Sequence, residues 1–270
     1  MMEELACWNC TEAADAALGL ERTILAGAAA EAEELTTGVA LRQPGLPGAG
    51  VLNQLVVDPV AVRALGTECL LDDLDATFAG LGHRQAWVPD DDLGRALAGE
   101  LAAAGFTARR DVVLVHDGRS LAADGAEAEH GPAAVARRRA ARAVEQEVLR
   151  REGLRPRAIT QLLVLRDALN AAVAVEHYVA EDAAHATTYA HDGVAKIGDL
   201  ATVPRERGRG LARAVLELAT ARAHAAGHEH VVLVASPGSG DRELAARVGF
   251  EPAGAWWTFT RAAPAVLSRP

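Results

Sequence analysis

The sequence is poor in cysteine, with Cys7, Cys10 and Cys69 as its three thiols among 270 residues. Three cysteines cannot build a disulfide framework, which is typical of a protein from a reducing compartment. Long apolar runs are missing as well, because no run approaches the roughly 18 residues that a membrane-spanning helix needs. The first ten residues, MMEELACWNC, are acidic where a signal peptide is basic. These absences predict a cytoplasmic protein without a membrane partner.

A basic surface is also lacking, because the formal net charge is −10 at pH 7. Nucleic-acid binding needs clustered basic side chains that neutralise phosphates, so we expect no nucleic-acid partner. The charge is uneven: residues 1–118 hold 19 acidic and 7 basic side chains, and the remainder is close to neutral. This distribution suits a cationic substrate together with an anionic cofactor. The competing explanation is that acidic faces simply aid solubility.

An internal repeat organises the chain. Residues 51–88 align with residues 196–233 at a constant offset of 145. The matched positions are Leu55 with Leu200, Pro59 with Pro204, Gly82-His83 with Gly227-His228 and, after one inserted residue, Gly105-Phe106 with Gly249-Phe250. Self-similarity of this kind indicates two copies of one α/β fold. We predict a first domain over residues 1–120 and a second over residues 132–270.

Hydrophobic periodicity and turn residues predict the helices and strands of the second copy. Helices are predicted over residues 134–151, 157–173, 211–226 and 242–248. Strands are predicted over residues 176–180, 185–190, 194–203, 231–235 and 256–260. The fourth of these strands, VVLVA, is apolar throughout, which is typical of a central strand that is buried on both faces.

The turn between the third predicted strand and the third predicted helix reads VPRERGRGLA. Gly208 and Gly210 lack a Cβ, so the backbone can turn tightly and approach a ligand closely. The following helix directs unpaired N–H groups and the positive end of its dipole into this turn. Arg205, Arg207 and Arg209 add positive charge, and arginine matches phosphate oxygens well. The pattern predicts a backbone anion site suited to a diphosphate, and the competing explanation is a plain glycine turn.

With this turn the sequence resembles the GNAT N-acetyltransferases, which use acetyl-coenzyme A. Their Gln/Arg-x-x-Gly-x-Gly/Ala signature is matched by Arg205-Glu206-Arg207-Gly208-Arg209-Gly210, and the resemblance extends over residues 132–262. It implies an α/β (α+β) fold of two GNAT-like copies, each a mixed, mostly antiparallel sheet flanked by helices, as in tandem members with a decayed first copy. It also implies acetyl-CoA as co-substrate, no metal, and a pantetheine arm that pairs beside the third predicted strand where two strands splay apart. The cofactor-binding positions that it implies are Ala201, Thr202, Val203, Arg205, Arg207, Gly208, Arg209, Gly210, Leu211 and Ala212.

The first copy lacks the glycine pair, because residues 60–65 read VAVRAL where the second copy reads RERGRG. We therefore expect one acetyl-CoA site per chain, in the second copy. The first copy is interpreted either as a cover that lines one wall of the acceptor cleft or as a degenerate domain kept for stability alone. The chain is expected to be a monomer or a homodimer.

The general base is the least determined part of the site. Relatives often carry a glutamate where this chain has Gly198, and strand alternation sends the next residue, Asp199, to the opposite face. Glu176, His177 and His185 lie on the neighbouring predicted strands and are the other candidates, acting directly or through water. A titratable histidine suits this role at neutral pH.

Acetyl transfer to an amine also needs a donor to the developing oxyanion and a proton for the departing thiolate. The resemblance implies that the backbone N–H of Val203 is the oxyanion donor. Relatives often have a tyrosine as general acid where this chain has Ala245. Ser236 or Ser239 could supply the proton through a water, and the alternative is that the thiolate takes its proton from solvent.

The function predicted from these residues is direct transfer of an acetyl group from acetyl-CoA to an amine of a small-molecule acceptor. The acidic character of residues 1–118 favours an acceptor that is a cation. The absence of the usual Glu and Tyr leaves other acyl-CoA chemistry on the same scaffold open, such as decarboxylation or transfer of a longer acyl group. A non-catalytic module that senses CoA or binds a partner is the third possibility.

Overall fold

The computed structural model describes residues 2–118 and 132–262. The chain forms two compact units. The larger unit contains Met1–Thr23 and Val112–Gly254, and the smaller unit contains Ile24–Asp111 and Ala255–Pro270. The predicted domain ends at residues 120 and 270 lie outside the described residues, and the predicted domain limits stay a prediction.

The first part of the chain begins with a long helix and continues with strands and shorter helices. In chain order these are α1 (Met2–Ala28), β1 (Glu31–Leu35), β2 (Gly38–Arg42), β3 (Gln54–Val57), α2 (Pro59–Leu65), α3 (Thr67–Thr77), β4 (His83–Val88), α4 (Asp91–Ala103) and β5 (Thr107–His116). The side chain of Asp58 caps α2 by accepting hydrogen bonds from the N–H groups of Val60 and Ala61, and a proline opens the helix.

The second part follows the predicted order of elements. They are α5 (Pro132–Arg151), α6 (Pro156–Ala172), β6 (Ala174–Ala180), β7 (Ala184–His191), β8 (Val194–Thr202), α7 (Leu211–Ala225), β9 (His230–Ala235), α8 (Asp241–Val248) and β10 (Phe250–Ala262). All of the predicted helices and strands are confirmed to within about two residues at each end, except that β10 begins at Phe250 instead of Trp256 and ends two residues later than predicted. The last strand is longer because it begins directly after the glycine that ends α8, with no loop between them.

The smaller unit holds a mixed sheet with the strand order β1-β2-β3-β4-β10. Its neighbouring strands are antiparallel except for β3 and β4, which run parallel. Helices α2, α3 and α4 supply buried leucines and valines to a core that includes Leu55, Leu74, Leu101 and Phe259. The C-terminal strand therefore completes this sheet, because Trp257 of β10 pairs with Val88 of β4.

The larger unit holds a sheet with the strand order β5-β9-β8-β7-β6, in which only β8 and β9 pair in parallel among the described strands. Tyr178 of β6 packs in one core cluster with Leu216 of α7. Its neighbour Val179 packs in another cluster with Val144 of α5. Because successive residues of a strand point to opposite faces, α7 and α5 cover opposite faces of this sheet.

Both units confirm the predicted fold class of mixed, mostly antiparallel sheets flanked by helices. The order of strand, helical segment, strand, helix and strand that runs from β3 to β5 recurs from β8 to β10. The last strand of the first series, β5, pairs with β9 in the sheet of the larger unit. The last strand of the second series, β10, pairs with β4 in the sheet of the smaller unit. Among the described residues, no helix combines the length and the apolar character that crossing a bilayer requires.

Candidate functional site

The glycine turn of the larger unit lies between β8 and α7. Gly208 and Gly210 both have left-handed backbones, with φ of +82° and +83°, a conformation that side chains with a Cβ rarely adopt. Gly210 is the N-cap residue of α7, and no side chain in the part of the chain that the structure describes caps this helix end. The N–H groups of the first helical turn have no partner within the helix. The local sequence therefore leaves a set of backbone donors available to an anion.

A cleft of about 740 Å³ opens over this turn. Its volume falls within the range of about 300–1,000 Å³ that is usual for ligand pockets. Seven of the ten residues that the resemblance implies for cofactor binding line it, namely Ala201, Thr202, Arg207, Gly208, Gly210, Leu211 and Ala212. Val148 of α5 and Glu152, the residue that follows this helix, also line the cleft, and the segment at the start of α8 contributes Ser239 and Asp241.

The cleft is open because β8 and β9 part from each other. They pair in parallel over four residues, from Val194 with His230 to Ile197 with Leu233, although both strands continue further. Beyond that point, residues 200–202 of β8 line the cleft. Their backbone edge on the side of β9 is therefore accessible to an extended ligand, as the resemblance implies for a pantetheine arm.

Val203 cannot serve as the oxyanion donor in this structure. Its backbone N–H donates a hydrogen bond to the carbonyl oxygen of Ala183, with 2.8 Å between nitrogen and oxygen. Its side chain is buried with Val144 and Val148. An amide that already donates to a carbonyl oxygen is not available to stabilise a second oxygen.

The arginines of the turn contribute less positive charge than the sequence suggests, because each one faces a carboxylate. The guanidinium of Arg205 lies 3.2 Å from Glu206, and that of Arg207 lies 3.3 Å from Glu152. Arg209 reaches both Glu206, at 2.5 Å, and Glu181, at 2.6 Å. These pairs are exposed and weak, but they balance the local charge. Within the turn, the backbone amides are therefore better placed than the arginines to bind an anion.

Arg247 of α8 is a cation of this cleft that the sequence analysis missed. Its side chain is exposed and lines the cleft. It lies nearly forty residues after the glycine turn, so no local spacing connects the two. Arginine is well suited to a phosphate group at the rim of such a cleft.

Asp199 does not lie on the face that strand alternation predicts. His185 pairs with Ala201 and Thr187 pairs with Gly198, so two steps along β7 correspond to three along β8. The extra residue forms a β-bulge, and Asp199 has a left-handed backbone with φ of +53°. The bulge interrupts the alternation and directs the Asp199 carboxylate to the α5 and α6 side, where Tyr189 and Arg166 bind it.

The other three candidate bases differ in environment. Glu176 accepts a hydrogen bond of 2.6 Å from the Tyr178 hydroxyl and shares the α7 side of the sheet with it. His185 is 2% exposed, and within the described residues neither ring nitrogen has a hydrogen-bond partner. Burial lowers the pKa of His185 to about 4, so it is neutral and a poor proton acceptor at pH 7.

His177 keeps the properties of a base. It is half-buried on β6, and its Nδ1 lies 3.2 Å from the hydroxyl oxygen of Thr187 on β7. Burial lowers the pKa of His177 below its ordinary value, which leaves the ring neutral at pH 7. Thr187 pairs with His177 on one side and with Gly198 on the other. Three neighbouring strands therefore place Gly198, Thr187 and His177 side by side. Gly198 is the position where relatives often carry a glutamate.

The candidate general acids differ in whether they line the cleft. Ser236 follows β9, is half-buried and is absent from the residues lining the cleft, and its carbonyl oxygen accepts a hydrogen bond of 2.9 Å from the Ser239 hydroxyl. Ser239 itself is exposed and lines the cleft. Ala245 of α8 is fully buried in the core beside α7, and its methyl side chain has no proton to donate. No group of three His, Cys, Asp or Glu side chains is arranged to hold a metal ion in residues 2–118 and 132–262.

Comparison with known proteins finds one family match and several structures with a similar fold. Residues 143–250 match the sequence profile of the acetyltransferase (GNAT) family. A conserved protein of unknown function from Staphylococcus epidermidis is 13% identical with a TM-score of 0.61, over 86% of this chain and 93% of that one. A GCN5-related N-acetyltransferase from Kribbella flavida is 18% identical with a TM-score of 0.57, over 91% of this chain and 95% of that one. A comparison with curated proteins finds no significant match.

Proposed function

We propose that the protein transfers an acetyl group from acetyl-CoA to an amine of a small-molecule acceptor, because residues 143–250 match the GNAT acetyltransferase family. The observation that carries the proposal is the pair of left-handed glycines at the uncapped start of α7, which opens on a cleft of about 740 Å³. Acyl transfer from CoA is the activity general to the family.

The residues of the cleft fit acetyl-CoA. A Cβ added to Gly208 or Gly210 would meet no atom within 4 Å, so the space above both glycines is open to a diphosphate. The amides of residues 208–212 would hold the diphosphate, and the edge of β8 at residues 200–202 would pair with the pantetheine arm. When bound, acetyl-CoA supplies an acetyl group that is activated as a thioester. No metal is required by this chemistry.

The acceptor nitrogen must lose a proton as its bond to the acetyl carbon forms and the bond from that carbon to sulfur breaks. We assign the proton to Nδ1 of His177, reached through the Thr187 hydroxyl, because Thr187 stands directly opposite Gly198. The distance of 3.2 Å between Nδ1 and the Thr187 oxygen suits such a transfer. The departing thiolate takes its proton from solvent or through a water near Ser239, since Ala245 offers no acid.

The charge distribution supports a cationic acceptor. Residues 1–118 carry 19 acidic and 7 basic side chains, and an excess of negative charge raises the local concentration of cations. Amines with several positive charges, of the polyamine or aminoglycoside kind, are the acceptor class that this favours.

The proposal is tested by mixing the purified protein with acetyl-CoA and a panel of amines. Release of thiol is followed with a chromogenic disulfide, and products are identified by mass spectrometry. We expect thiol release that depends on the amine, together with an amine product that has gained one acetyl group. Amine-independent thiol release, without an acetylated product, would instead favour other acyl-CoA chemistry on this scaffold. Binding of acetyl-CoA without turnover on any acceptor would favour a CoA-sensing module.

A further inference from the structure

A strained residue lies at the point where β8 leaves β9. Asp199 has φ of +53° and lies two positions after Ile197, the last residue of β8 that pairs with β9. A left-handed backbone is unfavourable for any residue with a Cβ, although Asp tolerates it better than most. Such a conformation persists in a strand only when its surroundings hold it in place. The structure must therefore contain contacts that fix Asp199.

Both carboxylate oxygens of Asp199 are held by side chains from other elements. The Tyr189 hydroxyl of β7 donates a hydrogen bond of 2.5 Å to Oδ2, and Nη1 of Arg166 on α6 lies 2.5 Å from Oδ1. The Asp199 side chain is only 8% exposed. Charge-assisted hydrogen bonds are strong when water is excluded. The three side chains form a clamp, which we define as Arg166, Tyr189 and Asp199.

The clamp is itself supported on the side of α5. Nε of Arg166 donates a hydrogen bond of 3.2 Å to Oε1 of Glu145, so Arg166 bridges two carboxylates. Burial raises the pKa of Tyr189 well above its usual value, which keeps its hydroxyl protonated as a donor to Asp199. Glu145 lies one helical turn before Val148, a residue that lines the cleft. Asp199 of the clamp therefore directly precedes the residues of β8 that line the cleft, and Glu145, which supports the clamp, lies on α5 close to its cleft-lining residue Val148.

We propose that Arg166 and Tyr189 are positioning residues: they hold Asp199 in its left-handed conformation and thereby fix the strand edge, residues 200–202, on which the pantetheine arm of acetyl-CoA lies. The inference rests on the proposed function, because it assigns the clamp to the CoA cleft. The three residues after Asp199 line that cleft directly. Arg166 and Tyr189 act through Asp199, and not on the reacting atoms.

The experiment measures the dissociation constant of coenzyme A by calorimetry, with each variant checked for folding by circular dichroism. Tyr189→Phe removes one hydroxyl, and Arg166→Met removes the charge while keeping much of the side-chain volume. We expect each variant to bind coenzyme A about tenfold more weakly than the unaltered protein. Arg138→Met is the matched control, because Arg138 pairs with Asp167 between the same two helices without contacting Asp199.

A second pair of variants distinguishes the effect of the clamp's side-chain contacts from the effect of the left-handed backbone at residue 199. Glycine adopts φ of +53° without strain, whereas alanine does not. Asp199→Gly should therefore bind coenzyme A more tightly than Asp199→Ala, and adding Tyr189→Phe to Asp199→Gly should cause no further loss. These comparisons need no acceptor and remain informative where Arg166→Met fails to fold.

A clamp with a purely structural role would lower the melting temperature and leave the dissociation constant of the folded variants unchanged, and that result would overturn the inference. Equal affinities for Asp199→Gly and Asp199→Ala would overturn it as well. Failure of the unaltered protein to bind coenzyme A would overturn the proposed function and this inference together. If the unaltered protein binds coenzyme A and every variant binds it with the same affinity, the inference about the clamp is overturned and the proposed function stands.

Discussion

Replacing both Gly208 and Gly210 with valine is expected to weaken coenzyme A binding by at least about a hundredfold. Each glycine has φ above +80°, and a β-branched residue does not adopt that backbone without strain. The turn would relax to another conformation and move its amides away from the diphosphate. Losing two charge-assisted hydrogen bonds, each worth about 1.5–3 kcal/mol, gives a loss of this size or larger. Calorimetric titration with coenzyme A measures it.

The fold should survive this double substitution, because an added Cβ at either position has open space around it. Gly193→Val is the matched control: Gly193 also has a positive φ, of +77°, and also has open space around it, but it lies in the turn between β7 and β8 and is absent from the lining of the cleft. The control should lose some stability and keep its affinity. A folded Gly208→Val/Gly210→Val protein with unchanged affinity would show that the diphosphate binds elsewhere.

The second large effect is expected for His177→Gln, which should lower kcat by about 10²- to 10⁴-fold with little change in the KM for acetyl-CoA. Glutamine preserves polarity and approximate volume, but it cannot accept a proton at neutral pH. In the unaltered protein the rate should fall with decreasing pH as the ring becomes protonated. Because burial lowers the pKa of His177, this fall should occur below the ordinary histidine value of about 6.5. Initial rates measured between about pH 5 and pH 8 provide the test.

Glu176→Gln is the control for this prediction, since Glu176 is the adjacent residue but shares the α7 side of the sheet with its partner Tyr178. It should keep near-normal turnover and the same pH profile. Thr187→Val should reproduce most of the loss seen in His177→Gln, because it removes the hydroxyl next to Nδ1. If His177→Gln keeps its rate and its pH profile, the amine arrives already neutral, and catalysis depends mainly on positioning the two substrates.

Local patterns in the sequence predicted the parts of the site that are built locally. The glycine turn needs two residues with positive φ before an amphipathic helix, and both requirements are visible in RERGRGLA. The strands and helices of residues 132–262 follow from hydrophobic periodicity for the same reason. The pairing of β5 with β9 in the larger unit could not be predicted in the same way. The two strands are more than 100 residues apart, and pairing over such a distance produces no local pattern in the sequence.

The predicted face of Asp199 was wrong because strand alternation requires an uninterrupted strand. A bulge adds one residue and reverses the expected face, and here it depends on Arg166 and Tyr189, which are 33 and 10 residues away. The prediction of Val203 as an oxyanion donor was wrong for a similar reason, since the partner of its amide, Ala183, lies 20 residues earlier in the turn between β6 and β7. The positive charge of the turn arginines was overestimated because two of their carboxylate partners, Glu152 and Glu181, lie far away in the sequence, directly after α5 and directly after β6.

The central claim is that the start of α7 holds the diphosphate of acetyl-CoA, and a crystal structure of the full chain with coenzyme A tests it most directly. The account predicts one coenzyme A per chain, with diphosphate oxygens within hydrogen-bond distance of the backbone nitrogens of residues 208–212. It also predicts the pantetheine arm along residues 200–202, where β8 has parted from β9. Density for the diphosphate at residues 60–65, or at any place away from the glycine turn, would contradict the account.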